Sequence, residues 1–487
     1  MAADSVYLGQ STKPEVLYLA LANRHGLITG ATGTGKTVTL QTLAQGFSNA
    51  GVPVFAADVK GDLAGLGMAG TPEGFITDRL AKIGVTDWKP QAAPVIFWDL
   101  FGEQGHPVRT TITEMGPLML SRLLSLSEAQ EGALNIAFRI ADEEGLALLD
   151  LKDLRAMLSE LADRGREIRT DYGNVTAVTL GSIQRALMVL DEQGAENFFG
   201  EPALDIHDFL RTTRDGRGFV NVLDASKLMN SPQLYSTFLL WLLSEILETL
   251  PEAGDIDKPR LVFFFDEAHL LFEDAPKGLV DKVEQVVKLV RSKGVGVYFV
   301  TQNPLDIPDG VLSQLGNRIQ HALRAYTPRD QKAVKVAAET FRANPAFDTQ
   351  EAITQLGKGE ALISVLDPKG VPTMVERTLI CPPQSRIGTL DKSERQSLLR
   401  ESPVAGQYER VVDRESAAEI LARKAESAAE TAAPKTAAAK RAVKEPESET
   451  ARLTRTIATT AGRSIASAIG RRVGTAIIRG VLGGLLR

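Results

Sequence analysis

The chain has 487 residues, a hydrophobic content of 44%, a charged content of 24% and a single cysteine. That length suggests roughly two to four folding units, and Cys381 alone excludes an internal disulfide and a cysteine-rich metal site. The net charge of −6 is uneven: residues 451–487 hold seven arginines and no acid, so the first 450 carry −13 and do not advertise nucleic-acid binding. Any such contact needs a local basic surface.

The opening "MAADSVYLGQSTKPE" lacks an apolar signal core. No run of about 18 apolar residues follows, so no spanning helix is expected, and a reducing, cytoplasmic setting fits the lone cysteine. "HGLITG" (25–30) reads as a strand entering a glycine loop, with a helix from Lys36. "VPVFAADV" (52–59) and "APVIFWDL" (93–100) are continuous apolar runs that reach an acid. Residues 112–200 change period. "EMGPLMLSRLLSLSEAQEGALNIAFRIADEEGL", "LKDLRAMLSELADRG" and "AVTLGSIQRALMVLDEQG" read as a helical insertion.

Apolar strands resume with "RGFVNVLDAS" (217–226), "RLVFFFDEAH" (260–269) and "GVGVYFVTQ" (294–302). Near-continuous apolar strands separated by helices predict an α/β fold whose mainly parallel sheet is covered on both faces. Asp58, Asp99, Asp224, Asp266 and Gln302 end these runs, and ligands of open α/β sheets bind at that edge. Residues 317–380 return to short strands around a helix, and 401–450 turn alanine-rich with mixed charge, a partly helical or disordered linker.

The expected partition is an α/β core in two parts (1–111 and 216–390), a helical insertion (112–215), a linker (391–450) and a basic amphipathic tail (451–487).

"GATGTGKT" (30–37) fits G-x-x-x-x-G-K-[ST] between a strand and a helix. Gly30, Ala31, Thr32, Gly33, Thr34, Gly35, Lys36 and Thr37 are therefore expected to cradle the phosphates of ATP. Backbone N–H groups would point inward, Lys36 would reach the β- and γ-phosphates, and the Thr37 hydroxyl would ligate Mg2+. "LVFFFDEAH" delivers two acids at a buried strand's tip. Asp266 suits the Mg2+ shell, and Glu267 suits the base that deprotonates an attacking water. His269 reads equally as a coupling residue or a cap. Gln302 in "VYFVTQNP" is placed to sense the γ-phosphate, with Asn303 a lesser candidate. Asp58, Lys60 and Asp62 in "DVKGDLAG", and more weakly Asp224, read either as site acids or as structural turns.

The succession GATGTGKT, FFFDEAH, RSKGVGVYFVTQNP resembles the HerA–FtsK branch of P-loop ATPases over roughly residues 5–390. More closely it resembles the YjgR-like group of HerA-type helicase-like proteins. That resemblance implies a RecA-like fold and a hexameric ring with ATP at subunit interfaces. It also implies a neighbour's arginine on the γ-phosphate, a contact that matters by about 10³-fold or more in rate. Arg291 in "RSKGVG" matches the position of that arginine, and Arg318 and Arg324 are its rivals. Such proteins usually carry a β-barrel before the ATPase core. Only 29 residues precede Gly30, so neither the barrel nor the partners it docks are expected.

In the tail, Ile465, Ile469, Val473, Ile477, Val481 and Leu485 recur every fourth residue, with Arg463, Arg471 and Arg479 roughly opposite. The apolar stripe favours a membrane surface or a protein partner over DNA. The expected function is an Mg2+-dependent, hexameric DNA translocase or helicase. The alternatives are a ring ATPase that moves or remodels protein, held peripherally at a membrane by the tail, and a nucleotide-dependent switch. Glu267 and Gln302 argue against a pure switch, and DNA rests on the resemblance.

Overall fold

The computed structural model describes residues 4–427, apart from 174 and 273–276. The basic tail at 451–487 and the linker beyond Ser427 lie outside the described residues. The chain divides into a compact unit, Met1–Leu421, and a second unit, Ala422–Arg487.

All six expected apolar runs are strands, and six further strands join them in one sheet. In chain order they are β1 (Ser5–Gln10), β2 (Pro14–Tyr18), β3 (Gly26–Thr29), β4 (Val54–Asp58), β5 (Val95–Asp99), β6 (His106–Pro107), β7 (Val220–Asp224), β8 (Leu261–Phe265), β9 (Val295–Thr301), β10 (Asn317–Gln320), β11 (Glu360–Ser364) and β12 (Glu376–Ile380). The sheet runs β2-β1-β12-β11-β10-β3-β9-β8-β4-β7-β5-β6. From β10 to β6 every pairing is parallel. The remaining strands extend it antiparallel at one edge.

The reason for the continuous apolar runs is visible in how side chains alternate between two cores. Phe55, Phe263, Phe265, Val297 and Phe299 belong to one core, and Val54, Val262, Phe264, Tyr298 and Val300 to the other. Both faces are buried, so both sets of alternate positions are apolar except where a polar group is fully hydrogen-bonded, as Asn221 of β7 is to Trp98 and to the Val54 and Phe209 carbonyls. α1 (Lys36–Asn49) covers the second face through Leu40, Leu43 and Phe47. α2 (Phe75–Ile83) packs Ile76 and Leu80 against Cys381. The first face lies under a helical layer that begins between β6 and β7. Its members are α3 (Ile112–Leu123), α4 (Glu128–Glu143), α5 (Leu151–Asp163), α6 (Gly165–Tyr172) and α7 (Ala177–Glu192). α8 (Pro232–Thr249) and α9 (Lys277–Val290) complete it with Phe238, Trp241 and Val286. A short α10 (Asp309–Leu312) precedes β10, and α11 (Pro328–Glu339) and α12 (Thr349–Gln355) fill the connection from β10 to β11. Among the described residues no helix is long and apolar enough to cross a membrane.

Two features depart from the sequence reading. The N-terminal stretch forms a hairpin, β1–β2, that pairs with β12. Val6 and Leu8 alternate into the core, a strand signal hidden in a stretch that looks only polar and short. The expected linker is packed well past residue 391. α13 (Lys392–Glu401) lies against β5, with the Arg395 guanidinium 4.8 Å from the Phe97 ring centroid. Beyond it, Tyr408 stands edge-on to Trp98 (5.4 Å between centroids) and donates its hydroxyl to Asp208 (2.5 Å). Ala417 and Leu421 enter the same core. A few buried anchors among charged residues are enough to hold such a strap, and composition averages hide them.

Tyr408→Ala should lower the unfolding free energy by about 3–5 kcal/mol, and Tyr408→Phe, which keeps the ring, by about 1–3 kcal/mol. Urea denaturation of both variants checks this. Equal losses would show that the hydroxyl, not the ring, holds the strap.

Candidate active site

The glycine loop leaves β3, the sixth strand in the order of the twelve-stranded sheet, and enters α1 at Lys36. Gly33 and Gly35 have φ of +76° and +120°, a region where a Cβ is costly. The loop is held from outside. The Ala31 N–H donates to the Ala322 carbonyl (2.8 Å), and the Gly359 N–H donates to the Thr34 carbonyl (2.8 Å). Behind it the buried His321 ring donates from Nδ1 to the Glu360 carbonyl (2.8 Å) and meets the Thr39 hydroxyl at Nε2 (2.8 Å). Burial lowers the pKa of His321 to about 4, so the ring stays neutral and keeps this tautomer. Sequence reasoning missed His321, whose only signal is its place at the tip of β10.

Lys36 is buried and donates to the loop carbonyls of Gly30 (2.7 Å) and Ala31 (3.2 Å). Burial pulls its pKa below the ordinary lysine value, with the field of Glu267 opposing. The Thr37 hydroxyl donates to Asp62 Oδ2 (3.2 Å), and Asp62 Oδ1 is buried without a hydrogen-bond partner. Asp266 emerges from β8 into the same space, where burial and then the charge of Glu267 push its pKa to about 7. Thr37, Asp62 and Asp266 thus present oxygens, one of them orphaned, that fit a hard divalent cation such as Mg2+. No cluster of three or more His, Cys, Asp or Glu able to hold a metal occurs among the described residues. That suits an ion completed by phosphate oxygens and water.

Glu267 sits in the left-handed region (φ +48°), a strain of about 1–3 kcal/mol for a residue with a side chain. Three contacts hold its buried carboxylate. Lys60 forms an ion pair with Oε1, Gln302 donates its amide to Oε2 (3.2 Å), and His269 Nδ1 lies 3.3 Å from Oε2. Burial works to raise the Glu267 pKa, but the Lys60 ammonium and the Gln302 amide outweigh it and hold the group below its ordinary value. Gln302 also accepts from the Thr32 hydroxyl (3.1 Å), so one chain of contacts runs from the glycine loop to the glutamate.

The structure therefore brings together Gly30–Thr37, Asp266, Glu267, His269 and Gln302, and adds Lys60 and Asp62. It leaves the other strand-tip residues in local turns. Asp58 accepts from the N–H groups of Gly61 (2.8 Å) and Leu63 (3.0 Å). Asp99 caps its own turn, Asp224 accepts from Ser226 (2.5 Å), and Asn303 accepts from Leu305 (2.9 Å). Of the arginines, Arg318 is largely buried and donates to the Leu315 and Leu312 carbonyls. Arg324 lines a cavity of about 960 Å³ beside Thr32 and Gln302. Arg291 is at the far end: it precedes β9, whereas Gln302 follows it. Seven strand residues separate the two ends by roughly 20 Å. It opens instead into a separate cavity of about 740 Å³ with Arg24 and Asp255.

The family model described as Helicase HerA-like C-terminal matches residues 5–487 of this chain. The chain belongs to this HerA-like family. It is 31% identical over 154 residues to the "Probable helicase MJECL08" of Methanocaldococcus jannaschii, covering 30% of this chain and 28% of that one. It is 21% identical over 364 residues to the "DNA double-strand break repair helicase HerA" of Sulfolobus acidocaldarius, covering 70% and 62%. The chain thus spans less than two thirds of the length of these curated relatives. Among solved structures, VirB4 of Thermoanaerobacter pseudethanolicus superposes with a TM-score of 0.50 at 16% identity, covering 81% of this chain and 99% of that one. The plasmid coupling protein TrwB in complex with the GTP analogue GDPNP gives 0.50 at 14%, covering 78% and 90%. The shared feature is the RecA-like α/β fold.

A cation ligand must be ionised, and the Asp266 carboxyl titrates near pH 7. Mg2+ affinity in the presence of nucleotide should therefore be full above pH 7 and fall about tenfold per unit below it. Calorimetric titration at pH 8, 7 and 6 measures this. Asp266→Asn should bind weakly at every pH; a wild-type profile flat across the range would contradict the assignment.

Proposed function

We propose that the chain is an Mg2+-dependent ATP hydrolase that works as a DNA translocase or helicase in a ring, most simply a hexamer. The observation that carries hydrolysis is the chain of contacts Thr32–Gln302–Glu267, which ties a phosphate loop to a buried carboxylate. Binding alone needs Lys36 and the loop, whereas a buried second acid beside Asp266 suits a base. In this reading the loop N–H groups and Lys36 hold the β- and γ-phosphates. Glu267 accepts the proton of the attacking water, and Gln302 orients that water against the γ-phosphorus. Mg2+, held by Thr37 and Asp266 with Asp62 beside them, would supply charge neutralisation at the phosphates.

Arg291 serves the neighbouring subunit's γ-phosphate, because it stands at the opposite end of β9 from its own site. Residues 1–111 and 216–390 form the core and 112–215 an insertion on one face. The tail at 451–487 contacts a membrane surface or a protein partner, which would place the ring peripherally in the cytoplasm. The DNA reading draws on the relative named as a DNA repair helicase. Arg324 and Arg329 line the cavity that also contains Gln302, but Asp306 and Asp330 line it too, so its charges balance and the DNA reading rests on that relative.

Lys36→Ala should abolish nucleotide binding, whereas Glu267→Gln should bind ATP and slow its hydrolysis by about 10²–10⁴-fold. Phosphate release and nucleotide binding, measured together, check both; wild-type turnover in Glu267→Gln would reject the base. Arg291→Ala alone should be inactive, yet rings mixed with Lys36→Ala subunits should recover turnover, since each supplies what the other lacks. No recovery in verified mixed rings would reject the trans role. DNA should stimulate turnover at low salt and lose that effect as salt rises; a flat response with real turnover would reject DNA as the substrate.

A further inference from the structure

The hydrolase reading leaves one residue without a task. Lys60 lies in the turn after β4, is half-exposed, and places its ammonium on Oε1 of the buried Glu267. With Gln302 and His269 on Oε2, both oxygens of the carboxylate are occupied. Gln302 also reaches Oε1 (3.4 Å), so about four lone-pair sites meet donors, and an anion held this way by an ammonium is a poor acceptor of a proton from water. Gln302 is fixed at the end of a central strand and bonded to Thr32. Lys60, by contrast, has a half-exposed side chain on a flexible stem, which can swing while Asp58 holds the turn through the Gly61 and Leu63 N–H groups. Its ammonium also lies in the field of Asp62 and Asp266, and Lys36 feels its charge, so it is already inside the phosphate site.

We propose that Lys60 is a phosphate-reading latch that passes from the Glu267 carboxylate to the terminal phosphate of ATP and thereby releases the base. The proposal rests on the reading of this site as an ATP hydrolase. The exchange is driven by charge. A terminal phosphate carries more negative charge than one carboxylate and offers three acceptor oxygens. ADP ends one phosphate short and leaves the latch on Glu267. The lysine therefore reports the third phosphate to the base, and water is activated only when there is a γ-phosphorus to attack. Lys60 acts here as a positioning residue: it moves no proton and forms no bond to the reacting atoms.

The test is calorimetric binding of ADP and of a non-hydrolysable ATP analogue, each with Mg2+, to the full chain. Wild type, Lys60→Ala, Lys60→Gln and Lys60→Arg are compared, with Lys36→Ala as the blank. The preference for the analogue over ADP should fall about tenfold in Lys60→Ala and Lys60→Gln, the size of one charge-assisted hydrogen bond. Lys60→Arg should keep most of it. Glu267→Gln, which removes the competing anion, should bind the analogue more tightly and ADP as before, and the gain should vanish when Lys60→Ala is added. Wild-type preference in Lys60→Ala and Lys60→Gln, or equal weakening of both nucleotides, overturns the latch and makes Lys60 a structural ion pair. A wild type that binds neither nucleotide overturns the parent reading of the site as well, so the two failures are told apart.

Discussion

Burial of both faces of the parallel sheet is the constraint on which everything else in this molecule depends. Between two apolar cores no strand can carry chemistry along its length, because an unpaired polar group there costs more than a hydrogen bond returns. Polar function is driven to the strand ends. At the carboxyl edge, β3, β9 and β8 are consecutive neighbours, so the glycine loop, Gln302 and the Asp266–Glu267 pair arrive side by side. Strand order, not proximity in the chain, assembles the site.

The same edge must also turn the chain back, and that uses up polar groups. Asp58, Asp99 and Asp224 spend their oxygens on the N–H groups and hydroxyls of their own turns. Asp266 and Glu267 are not spent in this way. Glu267 is instead held in a left-handed conformation by Lys60, Gln302 and His269. Strain of this kind persists only where surrounding contacts over-determine it. At the tip of a fully buried strand, the glutamate is linked through Gln302 to Thr32 of the glycine loop.

Gln302 and Arg291 bracket the same strand, β9, and a strand is too stiff to bring its ends together. The role proposed for Arg291 in a neighbour's site is compatible with this separation, and would make assembly part of the chemistry. The cavity lined by Arg324 and Arg329, by contrast, lies on the side of the chain's own Gln302. A contact there and a contact at Arg291 would reach the reaction from opposite directions.

Much of the architecture is legible in the amino-acid order. The apolar runs ending in polar residues specify a two-faced parallel sheet, and GATGTGKT and FFFDEAH specify which strand tips matter, because glycine spacing and an acid after a buried run are local properties. The β1–β2 hairpin was not legible because its alternation, Val6 and Leu8, is too short to stand out among polar neighbours, and the strap through Tyr408 because it is held by a few long-range contacts. Nor could the sequence decide among Asp58, Lys60 and Asp62, which are near neighbours in one turn. Only the fold sends Asp58 back to its own backbone, Asp62 to Thr37 and Lys60 to Glu267. Which residues can bear charge was written in the chain; which charges meet was decided by the order in which strands were laid side by side, and that is a property of the packed sheet alone.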